Sequence, residues 1–412
     1  MSSPHAKVVI AQLKKIQGGR LRITFPDQRI EEFGDLIQFT PEQAICLDIK
    51  DWKVFKLIAN RGDIGFAESY IDGSWTTNNL EGILRLALVN RKRLESLIYG
   101  SLLGSLIYKI RHFLRRNTRS GSKKNIHAHY DLGNQFYQLW LDPSMMYSSG
   151  LFNGDYSQSL QQAQTAKLDR ILNQIKNTPD EKILEIGCGW GGFMNMAVQR
   201  GLNVTGLTLS HEQKKFIDEK FNDEQLSTEI NNLSDSENSK LLRAKAVLMD
   251  YRDCNEQFDG IASIEMFEAV GEAYWPDYFS TLFRCLKPGK RAVIQTIVIQ
   301  DQLFKKYRSE TDFIQQYVFP GGMLPSPQIF EKSASTADLK LIDKHSFGED
   351  YAQTLRIWCD SFNRRISEIQ KLGFKDEFIR LWNFYLMYCA AGFAEKSIDV
   401  VQFTLEKPHE AA

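Results

Sequence analysis

Cysteine is scarce and dispersed in this 412-residue chain. The six residues, Cys46, Cys188, Cys254, Cys285, Cys359 and Cys389, form no CxxC pair. That spacing gives neither a zinc site nor a disulfide framework, so a reducing compartment is expected. An excess of charge of one sign is also missing, since Lys+Arg and Asp+Glu both number 51. Nothing global points to nucleic acid, and any basic surface has to be local. Long apolar runs are absent as well. The longest uncharged one, LIYGSLLGSLIY from Leu97, is too short to span a bilayer. The stretch MSSPHAKVVI carries no signal-peptide pattern, and a cytoplasmic protein is the expectation. The remaining composition, 43% hydrophobic and 25% charged, is that of a soluble globular protein, and its length allows two or three domains.

Organisation follows from periodicity. GGRLRITFPDQRIEEFG alternates around Leu21, Ile23 and Phe25 and predicts a strand or hairpin. The stretch from Leu80 to Arg116 is helical by period and propensity. Its tail, RRNTRSGSKK, is basic, small and polar, and places a boundary near 120. The division expected is therefore 1–120, a smaller α+β domain with a linker helix, and 121–412, a catalytic domain. From Glu181 onward strands and helices alternate: KILEIG, NVTGLTLS, AVLMD, FDGIASIE and LKPGKRAVIQTIVI are separated by helical or turn segments. That order predicts a doubly wound, Rossmann-like α/β sheet. EQLSTEINNLSDSENSK is polar and reads as a solvated insertion, and DVVQFTLEK reads as a final strand.

The first chemical signal is ILEIGCGWGGF. A buried strand runs into Gly187, Gly189, Gly191 and Gly192 and then into a helix. Glycines let a backbone approach a ligand closely, and a helix N-terminus offers free N–H groups. The spacing GxGxGG, with Glu185 inside the strand, resembles the first motif of class I methyltransferases that use S-adenosylmethionine. A nicotinamide enzyme would carry an acid after the second strand to hold the ribose hydroxyls, and this chain has Thr208 there. Asp250 ends the third strand, where it either accepts from an adenine amino group or caps a turn. The fourth strand ends in IEMFEAVG, with Glu265 and Glu268 flanking an apolar pair; a buried carboxylate there is costly unless something needs it.

Several blocks in order carry a more specific resemblance. They are HAHYDLGNQFYQLWLDPSMMYSSGLF (127–152), LEIGCGWGG (184–192), GLTLSHEQ (206–213), IEMFEAVG (264–271), YFSTLFRCLKPGK (278–290) and DVVQFTLEK (399–407). Together, across about 125–407, they resemble the cyclopropane fatty acid synthase and mycolic acid methyltransferase family. The resemblance implies a fold, a cofactor and a set of roles. Tyr130, Tyr147 and Ser148 match residues closing over the methionine part of S-adenosylmethionine, and Gly187 and Gly189 match its backbone contacts. Thr208 and Gln213 match ribose-side contacts, and Tyr251 and Arg252 match the adenine-side pair beside Asp250. Glu268 and Tyr351 match groups of the reaction centre, and Ile297 agrees with a contact of the same centre.

In that family a cis double bond of an acyl chain takes the sulfonium methyl. The resulting carbocation loses a proton to bound bicarbonate as the ring closes. Ring-forming members have Cys and His where this chain has Ser149 and Gln295. Both residues can hydrogen-bond an oxyanion, but Gln cannot relay a proton as His does. The resemblance therefore implies methyl transfer to unsaturated acyl chains of membrane phospholipids. It leaves three products of evolution open: a cyclopropane former, an enzyme yielding a methyl-branched or methylene chain, and a non-catalytic lipid- and cofactor-binding relative. Glu265 either faces the cofactor or caps the following helix.

Residues 107–124 place Lys109, Arg111, Arg115, Arg116, Arg119, Lys123 and Lys124 beside Ile107, Ile110, Phe113 and Leu114. A basic amphipathic segment of this kind lies on an anionic membrane surface or packs in a bundle with a solvated tail. A peripheral position on the inner membrane is the expectation, and a homodimer is compatible with it. His127 and His129 lack the acid or Cys that would complete a ligand set, so no metal is expected.

Overall fold

The computed structural model describes residues 4–99, 132–222 and 243–409. The chain divides into two compact units. One takes Met1–Arg115, Gln302–Pro320 and Leu355–Ile398; the other takes Arg116–Asp301, Gly321–Thr354 and Asp399–Ala412. A single cut near 120, as read from the sequence, would assign the segments 302–320 and 355–398 to the catalytic part. The compact units instead group them with the N-terminal segment. Tyr130, His127, His129, the basic segment 107–124 and the polar insertion 224–240 lie outside the described residues.

The first unit holds a four-stranded sheet, β1 (Arg20–Thr24), β2 (Ile30–Gly34), β3 (Ile45–Ile49) and β4 (Trp75–Thr77), in the order β2-β1-β3-β4. The hairpin expected from alternation is β1–β2, antiparallel, with Leu21 opposite Phe33. Trp75 is fully buried, stacks on Phe66 at 4.3 Å and donates from Nε1 to the Phe66 carbonyl, so its polar edge is satisfied inside the core. The helix expected to run unbroken from Leu80 stops at Val89 and restarts at Glu95. Buried Asn90 is the reason. Its Nδ2 donates to the Gln17 and Leu86 carbonyls, and its Oδ1 accepts from the Gln17 N–H, tying the helix end to another segment.

The second unit is built on seven strands: β5 (Lys182–Ile186), β6 (Asn203–Thr208), β7 (Ala244–Leu248), β8 (Phe258–Ile264), β9 (Leu286–Ile299), β10 (Lys340–Ser346) and β11 (Ile398–Glu406). Their order is β10-β11-β9-β8-β5-β6-β7. Strands β5 to β9 pair in parallel, and β10 pairs antiparallel to β11. Parallel strands covered on both faces read as continuous apolar runs, and β5 and β8 are buried over nearly their whole length. Helix Leu160–Ile175 turns Leu168, Ile171, Leu172 and Ile175 into a core with Ile183, Val204, Ala262 and Val293 of the sheet. Strand β9 carries a bulge near its start: pairing with β8 shifts between Phe258 and Gly260, and Gly289 takes φ +72°.

The chain runs β5, β6, β7 outward on one side and then returns to β8 on the other side of β5. The crevice at the carboxyl ends of β5 and β8 is thus a topological switch point, the place where such sheets bind ligands. Gly206 in β6 supports the turn beside it. A Cβ there would lie 2.7 Å from Cys188 Cβ and 2.7 Å from Met194 Sδ. Gly206→Ala should therefore overpack this layer and cost about 1–3 kcal/mol, seen as a lower midpoint in urea with an unchanged slope.

Candidate active site

A cleft enclosing about 1140 Å³, including solvent at its mouth, opens at this switch point. Its walls are the residues that follow β5, β6, β7 and β8, together with Met145–Ser148. The floor is the glycine turn. Gly187, Gly189 and Gly191 have φ of +83°, +52° and +77°, a region that side chains with a Cβ rarely enter. Their surroundings differ: a Cβ on Gly187 would meet Met266 Cγ at 2.8 Å, whereas one on Gly189 would meet nothing within 4 Å. Gly189 thus presents bare backbone to an open cradle, ahead of the helix Gly192–Gln199. This is the arrangement a bound S-adenosylmethionine requires for close backbone approach.

The sides of the cradle are made by the other cofactor candidates. Thr208 Oγ1 donates to Gln213 Oε1 at 2.8 Å, and both side chains are buried. Asp250 caps the turn Tyr251–Asp253 by accepting from the Arg252 N–H, and it also accepts from Arg252 Nε at 2.8 Å and Nη2 at 2.5 Å. Its carboxylate therefore anchors Arg252, whose guanidinium lies 5.6 Å from the Tyr251 ring centroid. Tyr147 packs with Tyr137 and Trp140, and Tyr137 sits 4.9 Å from Trp190 of the glycine turn. Trp190 Nε1 donates to Asn134 Oδ1 at 2.8 Å, which fastens the 132–152 segment to the cradle.

Two further residues are central to the site: Lys167, which the sequence did not single out, and Glu265, which it left between facing the cofactor and capping a helix. Lys167 is fully buried and donates from Nζ to Ser148 Oγ at 2.5 Å. Burial lowers its pKa to about 8, against the charges of Glu265, Asp142 and Glu185, which act to raise it. Its signal was legible: in Leu160–Ile175 it falls on the apolar face with Leu160, Ala163, Gln164, Leu168 and Ile171. The second is Glu265. Ser149 and Gln295 are both fully buried, and both give their donors to it: the Ser149 N–H at 2.9 Å and the Gln295 amide at 2.7 Å reach Oε1. The Tyr351 hydroxyl donates to Oε2. The Ser149 hydroxyl itself turns to the Gly150 carbonyl. Tyr351, Ser149 and Gln295 are thus brought together around Glu265.

Glu268 belongs to the next layer of the same turn. Its Oε1 accepts from the Ile297 N–H at 2.5 Å, while its Oε2 is buried with no partner. Burial, reinforced by the charge of Glu265, pushes its pKa up to about 8. Glu185 also has a buried Oε2 without a partner, and burial raises its pKa well above the ordinary carboxyl range. Of these groups Glu185 and Glu265 line the cleft, beside Met145, Met146, Met249 and Met266, whereas Lys167 and Glu268 lie outside its lining and within reach of the Glu265 charge. No cluster of metal-ligating side chains occurs among the described residues.

A parallel sheet with a glycine turn after its central strand and a cleft at its switch point defines a class I methyltransferase. The comparisons narrow this further. Residues 117–403 match the family described as mycolic acid cyclopropane synthetase, and the chain belongs to that family. It is 34% identical over 366 residues to the tuberculostearic acid methyltransferase UfaA1 of Mycobacterium tuberculosis, covering 84% of this chain and 80% of that one. It is 32% identical over 369 residues to the cyclopropane-fatty-acyl-phospholipid synthase of Escherichia coli K12, covering 87% of each. Among solved structures, mycolic acid cyclopropane synthase CmaA1 complexed with SAH and CTAB superposes with a TM-score of 0.61 at 31% identity, covering 69% of this chain and 98% of that one.

The cradle yields one prediction and the turn another. Gly189→Val should add both a strained φ and a side chain in the cofactor's space. Titration calorimetry with S-adenosylhomocysteine should show a loss of affinity of at least about tenfold, or ~1.4 kcal/mol, in a folded variant. For Glu268, the unfolded carboxyl ionises near pH 4.5, while the fold holds its proton to about pH 8. Between these values unfolding releases that proton, so the group's stabilising contribution is complete below about 4.5 and is lost as pH rises to about 8. Glu268→Gln should thus be more stable than the parent by as much as ~3 kcal/mol near neutral pH. The two denaturation midpoints should converge as pH falls towards 4.5.

Proposed function

We propose that this enzyme transfers the methyl group of S-adenosylmethionine to a double bond in the unsaturated acyl chains of membrane phospholipids. The observation that carries the reading is the Glu265 carboxyl, which lines the same cleft as the glycine cradle among apolar and aromatic side chains such as Met146, Tyr147, Trp190 and Met266. An alkene is a weak nucleophile, and once methylated it becomes a carbocation. Fixed negative charge in a dry site offsets such a charge far better than water does. S-adenosylmethionine, when bound, supplies the electrophilic methyl. Gly187 and Gly189 would admit its backbone-side contacts, Thr208 and Gln213 its ribose, and Tyr251, held by Arg252 and Asp250, its adenine. The Glu265 carboxyl, which lines the cleft, would then face the developing cation.

A second reading concerns the product. Gln295 is pinned: its Oε1 accepts from Gln402 Nε2 at 3.0 Å, and Gln402 accepts from Arg170 at 2.8 Å. This amide holds its neighbour but carries no titratable proton, which favours a methylene or methyl-branched chain beside cyclopropane as a product. Access to lipid would come through the basic segment 107–124 of the N-terminal part, acting at an anionic membrane surface.

Labelled S-adenosylmethionine incubated with phospholipid vesicles tests the function. Label should enter the acyl chains of unsaturated but not saturated lipid, faster on anionic vesicles and at low salt. NMR of the product lipid then separates a ring from a methylene. Equal labelling of saturated lipid, or label in the head group, would contradict the assignment.

A further inference from the structure

We propose that the Glu265 carboxylate is the built-in proton acceptor of this reaction, occupying an oxyanion niche that would otherwise have to hold a free anion such as bicarbonate. The inference rests on the acyl-methylation reading above and adds to it the identity of the base.

The niche is recognisable from its donors. A main-chain N–H at Ser149, a side-chain amide from β9 at Gln295 and a phenol at Tyr351 in helix Gly348–Arg364 come from three separate elements and converge on one carboxylate. Donors arranged in this way bind negative charge. Here the charge is covalently attached to the chain. The Gln295 amide has a fixed orientation, because its oxygen is used by Gln402, so its N–H₂ end faces the niche. The backbone is bent to deliver the group: Glu265 has φ +50°, outside its strand, and its N–H donates to the Gln295 carbonyl at 2.7 Å. A side chain with a Cβ enters that region only when its surroundings over-determine it, and strain of this kind concentrates at functional positions.

The carboxylate is also chemically suited to the task. It lines the cofactor cleft, so a methylated chain in that cleft lies against it. Oε1 accepts two hydrogen bonds and Oε2 one, which leaves Oε2 a lone pair for a proton. Burial raises the pKa of Glu265, and the Tyr351 hydroxyl and the Lys167 charge oppose that rise, giving a base stronger than an exposed carboxylate. The step balances without a further reactant. Methyl transfer turns the sulfonium into a neutral thioether and leaves a cationic carbon on the chain. A C–H bond of the transferred methyl then breaks and its proton passes to Glu265 Oε2. The electron pair fills the cationic carbon, either directly as a ring bond or, after a neighbouring hydride shift, as a double bond to the new carbon. Tyr351, Gln295 and the Ser149 N–H are positioning groups in this scheme, since they act through Glu265.

The test uses the full-length protein, labelled S-adenosylmethionine and unsaturated phospholipid vesicles, in buffer stripped of CO₂ and in the same buffer with added sodium bicarbonate. The parent rate should be the same in both within about twofold. Glu265→Gly should fall at least about a hundredfold in stripped buffer and recover in part when bicarbonate refills the niche. Its affinity for S-adenosylhomocysteine and its melting temperature should stay near those of the parent, which separates loss of the base from loss of the fold. Glu265→Gln, which fills the niche without a base, should be slow and should not recover with bicarbonate. A parent rate that rises several-fold with bicarbonate would overturn the proposal while leaving acyl methylation intact. A Glu265→Gly enzyme as fast as the parent in stripped buffer would do the same. A parent that labels no acyl chain in either buffer would defeat the underlying reading and this proposal with it.

Discussion

The catalytic unit is organised around a single electrostatic constraint: two carboxyl groups separated by two residues, at the end of a buried strand, cannot both be charged at neutral pH without a compensating cation. Both residues are partly buried, and like charges in a low-dielectric site repel strongly. The structure divides the pair unequally. Glu265 receives three donors and the field of buried Lys167, while Glu268 receives the Ile297 N–H and keeps its proton to about pH 8. The same constraint accounts for the neutral side chains around the pair. Ser149, Gln295 and Gln402 supply hydrogen bonds without adding another buried charge that would need its own partner.

Satisfying that constraint draws on distant parts of the sequence. Lys167 comes from a helix before the sheet, Gln295 from its fifth strand, Tyr351 from the helix after β10, and Gln402 from the last strand. Arg170 continues the chain of hydrogen bonds from Gln402 to Asp343 on β10. A polar network of this length rigidifies only when each member is satisfied, and it fixes one orientation for each amide. The apolar core under helix Leu160–Ile175 gives the network its frame, since a buried Lys is tolerated where its neighbours on the helix face are already packed against the sheet.

Much of this was legible in the sequence, because its signals are local. Alternation and apolar runs disclosed the parallel strands, and the glycine spacing disclosed the turn after β5. The block MFEAVG marked the turn after β8, whose Met266, Ala269 and Val270 line the cleft. Three features were not legible. The end of the helix at Val89 depends on the Asn90 side chain reaching Gln17, 73 residues away. Strand β10, KLIDKHS, is a charged edge strand whose pattern hides its pairing with β11. The role of Glu265 is a matter of φ and of donors 30 to 116 residues distant, and neither is written in the spacing of IEMFEAVG. Sequence reading placed Tyr351 and Glu268 in one reaction centre by resemblance without pairing them, and only coordinates show that the Tyr351 hydroxyl reaches Glu265.

The interleaving of the two compact units bears on how the chain is made. The first unit begins at the N-terminus yet draws its last segment from Leu355–Ile398, close to the C-terminus. A ribosome releases nearly the whole of the second unit's sequence before that segment emerges. The usual order, in which an N-terminal domain completes itself while the rest is still being synthesised, is therefore closed to this protein. Early residues such as Phe66 and Tyr70 lack their partner Phe384 until the segment Leu355–Ile398 has been made. The first unit is therefore completed after, not before, most of the second unit has been synthesised.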